Sequence, residues 1–451
     1  MSSTLHSPTI ANPELLEVAE RCQQVARTKG AAEVAARAYK VRDVTVQWRD
    51  GKLEQIGEAT TRGVGLSLYV DGRFSSVSSS DLRPEALETF IGDAVAMTRA
   101  LAADPFRSLP DPKLYEGQAQ ADLQLDDPAY ATVTPEQRRR VAQETETAAR
   151  SVKGAEAILS VTTGFNDNRS ESVRVHSNGF RGARVDTAFW ISAQVSVKDP
   201  DGRRPEDYAY GGVRFVGELP KAAEIGRVAT ERTLARLGAK KPESAVLPMV
   251  LENRAAGRLV GALTTALSGQ ALQQKRSFLE GKAGQVVGSP EITLTDDPLV
   301  AKGFGSRLFD GEGIAARPFP VFEKGVLRNY YIDTYYGKKL QLAPTTGGSS
   351  NLLMALGSKD QAGLLAGIKD GILVTGFLGG NSNATTGDFS LGVQGFRIRG
   401  GAVAEPVSEL NISGNHLDFW KRLVAVGNDP WPYSSLRTPT LVFEGVQFAG
   451  V

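Results

Sequence analysis

The sequence predicts an α+β protein of several domains, with helix-and-sheet units in the N-terminal and central parts and a strand-rich C-terminal part. Its 451 residues are about three times the length of a typical single domain. Helical patterns that open on capping residues dominate the first half. Short apolar strands between glycine-rich turns dominate the rest. We therefore expect three domains, at residues 1–105, 106–240 and 241–451.

The N-terminal unit has the pattern of a helix, several strands and a second helix. Apolar residues recur at helical spacing between Pro13 and Lys29, and Asn12 precedes them as an N-cap. Asp71-Gly72 lies between two apolar runs and predicts a hairpin turn. The segment 104–118 holds three prolines and no periodicity, which is typical of a domain boundary. The expected elements are helices at 13–29 and 84–102 and strands at 32–39, 43–54, 63–70 and 73–79.

The central unit continues this alternation of helices and strands. Thr134-Pro-Glu-Gln is a capping box with proline at the first helical position, so a helix is expected from Thr134 to about Val152. Ser177-Asn178-Gly179 predicts a turn between two strands. The other expected elements are strands at 157–163, 170–177, 182–197, 245–251, 395–399 and 402–407, and helices at 220–237 and 255–267.

Composition excludes several classes of function. Lys plus Arg number 52 against 51 Asp plus Glu, with no basic stripe among aromatic residues, so nucleic-acid binding is not expected. Cys22 is the single cysteine, which excludes an intrachain disulfide and suits a reducing compartment. The N-terminal residues show no secretory-signal pattern, and charged residues interrupt every long apolar run. We therefore expect a cytoplasmic protein that no membrane anchors.

Five short blocks in the second half carry a family resemblance. In their order along the chain they resemble the TldD/TldE (PmbA) family, and weaker matches at 49–54 and 62–66 extend the resemblance over essentially the whole chain. In that family a zinc-peptidase subunit pairs with a partner that lacks the metal site. The blocks are Phe-Asp-Gly-Glu-Gly at 309–313, Lys-Gly-Val-Leu at 324–327, Asp-Thr-Tyr-Tyr-Gly-Lys-Lys-Leu at 333–340, Thr-Gly-Asp-Phe-Ser at 386–390 and Val-Gly-Asn-Asp at 426–429.

The resemblance implies that this chain is the partner without zinc. In the peptidase branch, His-Glu-x-x-x-His on the helix after the third unit's first strand supplies two zinc ligands and the general base, and a cysteine near the C-terminus completes the ligands. The matched positions here hold Gly261, Ala262, Ala266 and Thr438, and none of these side chains is a good zinc ligand. We therefore expect no catalytic residue, metal or cofactor in this chain, with zinc in a partner subunit.

The histidines do not match a metal-binding spacing either. His6, His176 and His416 are far apart along the chain, and we expect them at the surface or in turns. The helix around Leu259 is better explained as a buried helix whose small residues fill the place of a metal site. Because Gly261 inside a helix costs about 1 kcal/mol relative to alanine, we expect another element to pack closely against it.

Two further groups of side chains are candidates for chemistry. Asp310 and Glu312 lie in a glycine-flanked turn, where a carboxylate pair can act as general acid and base, although capping of the turn is the favoured interpretation. Tyr335-Tyr336 and Lys338-Lys339 can hold a peptide carboxylate, but a solvated helix end is favoured. The sequence contains neither a Gly-x-Ser-x-Gly elbow nor a Walker A motif.

The glycine-rich segment 379–388 is the favoured substrate contact. It lacks the lysine and the following helix that a phosphate-binding loop needs. The backbone of such a loop can pair with an extended peptide. The expected substrate-binding residues are Asn383, Thr386, Gly387, Asp388 and Ser390.

Three hypotheses for the function follow from these observations. By resemblance, the favoured one is a non-catalytic subunit that forms a heterodimer with a TldD-like zinc peptidase and walls a cavity in which unfolded or modified small peptides are cleaved. A second is an enzyme with non-zinc chemistry in a biosynthetic or peptide-processing pathway, with Asp310, Glu312 and Asp388 as its candidates. A third is a stand-alone peptide-binding module. A neighbouring gene for a chain with His-Glu-x-x-x-His favours the first hypothesis.

Overall fold

The computed structural model describes residues 12–451 and confirms the predicted α+β class, with a strand-rich C-terminal part. The helices are α1 (Pro13–Thr28), α2 (Pro84–Arg99), α3 (Pro135–Arg150), α4 (Ala222–Leu234), α5 (Asn253–Ala266), α6 (Gly269–Gln273), α7 (Thr334–Leu340), α8 (Gln361–Leu365) and α9 (His416–Phe419). The strands of the N-terminal and central parts are β1 (Glu33–Arg49), β2 (Lys52–Val70), β3 (Arg73–Ser79), β4 (Ile158–His176), β5 (Arg181–Val197) and β6 (Glu206–Val213). The C-terminal strands are β7 (Ala245–Leu251), β8 (Leu294–Asp296), β9 (Phe319–Glu323), β10 (Val326–Leu327), β11 (Leu352–Met354), β12 (Asp370–Phe377), β13 (Asn381–Ser382), β14 (Asp388–Arg399), β15 (Ala402–Asn415), β16 (Leu423–Val426), β17 (Leu436–Arg437) and β18 (Leu441–Ala449).

One antiparallel sheet runs through the N-terminal and central parts, with the strand order β3-β2-β1-β4-β5-β6. β1 and β4 join its two halves, because Ala36 of β1 lies opposite Leu66 of β2 on one side and Val175 of β4 on the other. Residues before and after position 105 therefore contribute to the same sheet. The domain boundaries drawn from the sequence remain a prediction.

Several strands differ from the expected ones. The strand expected at 43–54 contains a turn, because Asp50 and Gly51 have positive φ angles of 48° and 77° and reverse the chain between β1 and β2. The Asp-Gly pair is itself a hairpin signal, and it outweighs the alternation of polar and apolar residues that continues on both sides of it. The strands expected at 157–163 and 170–177 are one strand, β4. β6 has no counterpart among the predicted elements.

The two faces of this sheet differ in character. α1 to α4 all pack on one face, where the residues are apolar, such as Ala36, Val173 and Ile191. The opposite face is more polar and carries hydroxyl and amide side chains at Thr45, Gln47, Thr162, Asn166, Ser192 and Gln194. This polar face forms a depression of about 410 Å³ whose lining includes Thr45, Gln47, Thr162, Gly164, Asn166, Ser192, Gln194, Tyr208 and Tyr210.

The C-terminal part is built around a closed barrel of five strands. Its order is β12-β7-β18-β15-β14, and pairing of β14 with β12 closes it. The largest apolar core joins inward-facing barrel residues such as Met249 and Phe443 to the buried side of α5. A second sheet with the order β10-β9-β8-β11-β17 lies beside the barrel. Within residues 12–451, no helix is long and apolar enough to cross a membrane.

Candidate functional site

The helix α5 carries the three positions that the family resemblance matches to His-Glu-x-x-x-His. Leu259, Leu263 and Ala266 point into the core and are at most 5% exposed, as the interpretation of a buried helix requires. Gly261 and Ala262 lie on the outer face and are half-buried. Small side chains on this face leave a shallow open surface on the helix.

The prediction that another element packs closely against Gly261 is wrong. A Cβ atom placed on Gly261 would meet no other atom within 4 Å, apart from the helix's own neighbouring backbone. The glycine therefore leaves empty space instead of allowing close contact. No packing reason in the structure accounts for the glycine at this position.

Thr438 does not complete a ligand set with these positions. Its hydroxyl is buried and donates a hydrogen bond of 2.9 Å to the carbonyl oxygen of Asn253 in the first turn of α5. A Cβ on Gly257 would lie 4.0 Å from the Thr438 hydroxyl, whereas a Cβ on Gly261, one turn further on, would have no such neighbour. Thr438 thus anchors the segment before β18 to the start of α5.

The residues present do not fit a zinc ion. Gly261, Ala262 and Ala266 offer no donor atom, and the threonine hydroxyl is already hydrogen-bonded elsewhere. Across residues 12–451, the structure contains no group of three or more His, Cys, Asp and Glu side chains placed to hold a metal ion. These positions therefore do not support a catalytic step that depends on a bound zinc ion.

Two arginines border the outer face of α5. Arg258 is exposed and donates a hydrogen bond of 2.8 Å to the carbonyl of Gly380, which ties the helix to the loop between β12 and β13. The Arg254 guanidinium lies 4.4 Å from the centre of the Tyr208 ring and 5.7 Å from that of Trp431. The outer face of α5 is therefore continuous with the polar face of the six-stranded sheet at Tyr208.

A buried ion-pair network fixes this junction. Arg232 of α4 makes two hydrogen bonds of 2.6 and 2.9 Å to Glu252, the residue before α5. Asp207 of β6 lies 3.6 Å from Arg232 and 3.8 Å from Arg254. Because these groups are largely buried, removing one partner leaves an uncompensated charge in the interior. The sequence gives no signal for this network, since its members are far apart along the chain.

Aromatic residues cluster at the same junction. Tyr208 and Tyr210 of β6 are stacked with their ring centres 6.0 Å apart, and Tyr208 is 49% exposed. Trp431 donates a hydrogen bond of 2.7 Å to the Tyr210 hydroxyl, and Tyr433 packs on the same ring. Aromatic rings beside an open polar surface are typical of peptide-contacting sites. The one signal in the sequence is the alternation of tyrosines in Asp207–Gly211, which is typical of a strand.

The predicted substrate loop forms its own compact turn. Asn383, Thr386, Asp388 and Ser390 are exposed, whereas Gly387 is buried with a φ of 84°. The Asp388 carboxylate accepts hydrogen bonds of 2.9 Å from Asn415 and 2.7 Å from the Thr386 hydroxyl, and these bonds lower its pKa. Their role as substrate contacts remains a prediction.

The backbone donors of this loop are occupied by internal bonds. The amide of Asn383 donates to Asp388, that of Gly387 donates to Asn383, and the amides of Thr385 and Thr386 donate to the Asn383 side chain. An extended peptide cannot use these N–H groups for strand pairing unless the turn opens. Contact with a peptide is therefore expected through the exposed side chains of the loop.

His176 and His416 are both buried, so the prediction of surface or turn histidines is wrong for them; His6 lies outside the described residues. The His416 ring lies between Phe278 and Phe389 at the base of the substrate loop, and its Nε2 is 3.2 Å from the Ser382 hydroxyl. Burial lowers its pKa to about 4. His416 opens α9 directly after the end of β15.

His176 closes β4 beside an aromatic cluster. Its Nδ1 is 3.1 Å from the Tyr115 hydroxyl, and its ring packs on Phe180. Burial, reinforced by the charge of Arg174, lowers its pKa to about 3. A histidine held neutral in this way packs as an aromatic residue and does not act as a base near neutral pH.

Asp310 and Glu312 occupy capping positions. The Asp310 carboxylate accepts hydrogen bonds of 2.8 Å from the backbone amide of Glu312 and 3.0 Å from that of Ile314. These bonds cap the turn, as the favoured interpretation of the sequence expects. The Glu312 carboxylate accepts 2.8 and 2.9 Å bonds from the backbone and hydroxyl of Thr334 at the start of α7. Burial raises the pKa of Glu312 to about 7.

Tyr335 and Lys339 contact the segment that precedes the central part. The Tyr335 hydroxyl donates a 2.7 Å bond to Asp104, and the Arg107 guanidinium lies 3.4 Å from the Tyr335 ring centre. Lys338 is exposed and bonds Ser108. This helix end joins two parts of the chain, and its groups are already paired.

The described residues combine a six-stranded sheet with helices on one face, a closed barrel and a helix α5 whose matched positions carry no zinc ligand. Models of three domains match in order: PmbA/TldA metallopeptidase domain 1 at residues 34–98, the central domain at 128–237 and the C-terminal domain at 244–450. The chain belongs to the PmbA/TldD family.

Relatives and solved structures cover nearly the whole chain. Metalloprotease PmbA of Escherichia coli O157:H7 is 30% identical over 93% of this chain and 92% of its own length. A Bacteroides thetaiotaomicron protein described as a candidate modulator of DNA gyrase is 40% identical, with a TM-score of 0.95 over 98% of this chain and 100% of its own. TldE of Thermococcus kodakarensis has the same fold, with 19% identity and a TM-score of 0.84 over 96% of this chain and 100% of its own.

Proposed function

We propose that this chain is the non-catalytic subunit of a PmbA/TldD-type peptidase, in which a TldD-like partner holds the zinc. The chain walls one side of a substrate cavity and holds unfolded or modified small peptides near the partner's metal. Its own contribution is binding and orientation, since ordering a flexible peptide costs conformational entropy that contacts with a wall must offset.

The observation that carries this proposal is the set of small side chains on α5. The positions matched to the zinc ligands and general base hold Gly261, Ala262 and Ala266, and the face at Gly261 is open. A family member that keeps the scaffold but lacks the ligands retains binding surfaces without the chemistry.

The polar face of the six-stranded sheet supports the binding role. It offers hydroxyl and amide groups beside the rings of Tyr208 and Tyr210, which suits an extended chain with mixed side chains. Strand addition at the β6 edge is disfavoured, because Arg254 and Arg236 already bond the carbonyls of Tyr208 and Glu206. We therefore assign peptide contact to side chains on the face of the sheet.

Purification of the chain with and without a TldD-like chain tests the proposal. Alone, the chain is expected to retain no stoichiometric zinc after dialysis and to show no peptidase activity. With the partner, the two chains are expected to co-elute in size-exclusion chromatography, with zinc in proportion to the partner. One tightly held zinc per chain in the isolated protein, or separate elution of the chains at micromolar concentration, overturns the subunit role.

A further inference from the structure

A cavity of about 560 Å³ lies apart from α5 and from the substrate loop. Its walls come from four parts of the chain that are distant in sequence: residues 121–128, residues 183–185 at the start of β5, Phe215, and residues 307–309. Leu123 and Leu125 are fixed from both sides, because their carbonyls accept bonds of 2.8 Å from Lys302 and 2.9 Å from Thr187. The cavity is therefore formed in advance of any ligand.

The lining combines apolar and charged residues, with the apolar part slightly larger. Leu125, Val185, Phe215, Leu308 and Phe309 contribute aliphatic and aromatic surface. A cavity of this size and character accepts a small organic molecule or one to two residues of a peptide.

Arg307 is the one arginine of the lining that has no ionic partner among the described residues. Asp126 makes two hydrogen bonds to Arg169, and Arg184 pairs with Asp186 at 2.9 Å. Asp122 is exposed and caps the amide of Gln124. These three groups are therefore already paired or solvated, and the remaining one is Arg307.

Arg307 bonds only neutral oxygens. Its guanidinium donates to the hydroxyl of Thr346 at 3.2 Å and to the carbonyls of Ser349 and Gly348. Among residues 12–451, no carboxylate oxygen lies within 4.0 Å of it, and its Nε has no hydrogen-bond partner. The buried carboxylates of Asp296 and Asp310 lie more than 4.0 Å away and, with Thr346, line a second cavity that Arg307 also borders.

We propose that this cavity binds a small carboxylate with an apolar body, whose charge pairs with Arg307 and whose body fills the space between Phe215, Leu308 and Phe309. A guanidinium lacking an ionic partner at an apolar cavity gains a charge-assisted hydrogen bond when a carboxylate enters. A free carboxylic acid and the C-terminal residue of a peptide share this chemistry. The site does not depend on the proposed subunit role, because no lining residue belongs to α5 or to the loop at 383–390.

Calorimetric titration of the full chain with two pairs of probes tests the site. The pairs are decanoate with methyl decanoate, and acetyl-Ala-Leu-Leu with its C-terminal amide. We expect saturable one-to-one binding of at least one free carboxylate and at least tenfold weaker binding of its uncharged counterpart. The carboxylate that binds more tightly shows whether the site prefers a free carboxylic acid or the C-terminus of a peptide. Absence of saturable binding by both carboxylates, or equal binding of carboxylate and uncharged probe, overturns the proposal.

Variants locate the site within the chain. R307Q is expected to weaken carboxylate binding at least tenfold, and R307K to weaken it less, since lysine keeps the charge. R328Q is the matched control, because Arg328 is exposed, pairs with Glu323 and does not line the cavity. V185W fills the cavity while leaving Arg307 in place, and it is expected to abolish carboxylate binding. It therefore tests the site independently of R307Q, which could fail to fold. Retained binding in V185W, or equal loss in R328Q, contradicts the assignment.

Discussion

At the scale of single residues, capping chemistry is predictable and burial is less so. Asp310 lies in a short glycine-flanked turn, and its carboxylate accepts the local backbone bonds that such a sequence predicts. His416 carries no local signal of its burial, because the rings of Phe278 and Phe389 that cover it come from distant segments. Local sequence therefore indicates a turn, whereas long-range packing decides whether a histidine is charged.

Gly261 provides a test of the open face of α5. Replacement by alanine adds a methyl group where no atom lies within 4 Å, so G261A is expected to raise the free energy of unfolding by about 0.5–1 kcal/mol. Gly226 in α4 is the matched control, because a Cβ there would lie 2.1 Å from the carbonyl oxygen of Thr145. G226A is expected to destabilise the protein. Urea unfolding measures both, and destabilisation by G261A would mean that the face is covered.

His416 predicts a pH dependence of stability. Its pKa is about 4 in the folded chain because burial disfavours the charged ring, against an ordinary value of 6.5. Below pH 6.5 the unfolded state takes up the proton first, so the contribution of His416 is fully present above pH 6.5 and is lost progressively as pH falls toward 4. Each pKa unit corresponds to about 1.4 kcal/mol.

The variant H416Q isolates this contribution from the other groups that titrate in the same range. Urea unfolding of wild type and H416Q at intervals between pH 7 and pH 4 is expected to show a smaller loss of stability in the variant. His176 also has a lowered pKa and is present in both proteins. It therefore accounts for part of the pH dependence of the free energy of unfolding that remains in H416Q. Parallel curves for the two proteins would show that His416 is not the group responsible.

At the scale of elements, the sequence predicts a helix or a hairpin correctly where its capping or turn residues agree with the periodicity of its apolar residues. Thr134 forms the expected capping box with Gln137, and the hairpin at Asp71-Gly72 joins β2 to β3. Asp50-Gly51 is the counterexample, because regular alternation on both sides makes two strands resemble one. The fit between α5 and the sheet depends on Arg232 and Glu252, whose contact no local pattern encodes.

The loop that carries Asp388 can be tested as an element. The carboxylate holds Thr386 and Asn415 in place, so D388A is expected to loosen the turn and to reduce peptide cleavage by the two-chain complex several-fold. Asp418 is the matched control, since it is exposed and pairs only with Lys421 among the described residues. Initial cleavage rates of an unstructured peptide provide the measurement, and equal rates for D388A and D418A would place the loop outside the cavity.

At the scale of the whole molecule, the chain has the fold of the PmbA/TldD family, and its positions matched to the zinc ligands hold glycine, alanine and threonine. The α+β class and the order of the parts follow from the sequence, because caps and turns are local features. The closed barrel and the continuous six-stranded sheet do not, since β7, β12 and β18 are brought together from opposite ends of the C-terminal part. The candidate site lies where these two assemblies meet.

This arrangement predicts a gain of function on mixing. A TldD-like chain alone is expected to cleave an unstructured peptide slowly, because a metal site open to water holds a flexible chain weakly. Addition of this chain is expected to raise the rate at subsaturating peptide, mainly through a lower KM, since a binding wall contributes to holding the substrate more than to the bond-breaking step.

Two variants of the six-stranded sheet test which surface holds the peptide in that experiment. Y208A removes an exposed ring at the junction of the sheet with α5, so a complex with this variant is expected to show a higher KM and a similar kcat. L159A removes an exposed apolar side chain on β4, 43% exposed and not lining the depression, and is expected to leave both constants unchanged. Equal rates for the partner with and without this chain, at concentrations where the two co-elute, would mean that the chain does not form part of the substrate cavity.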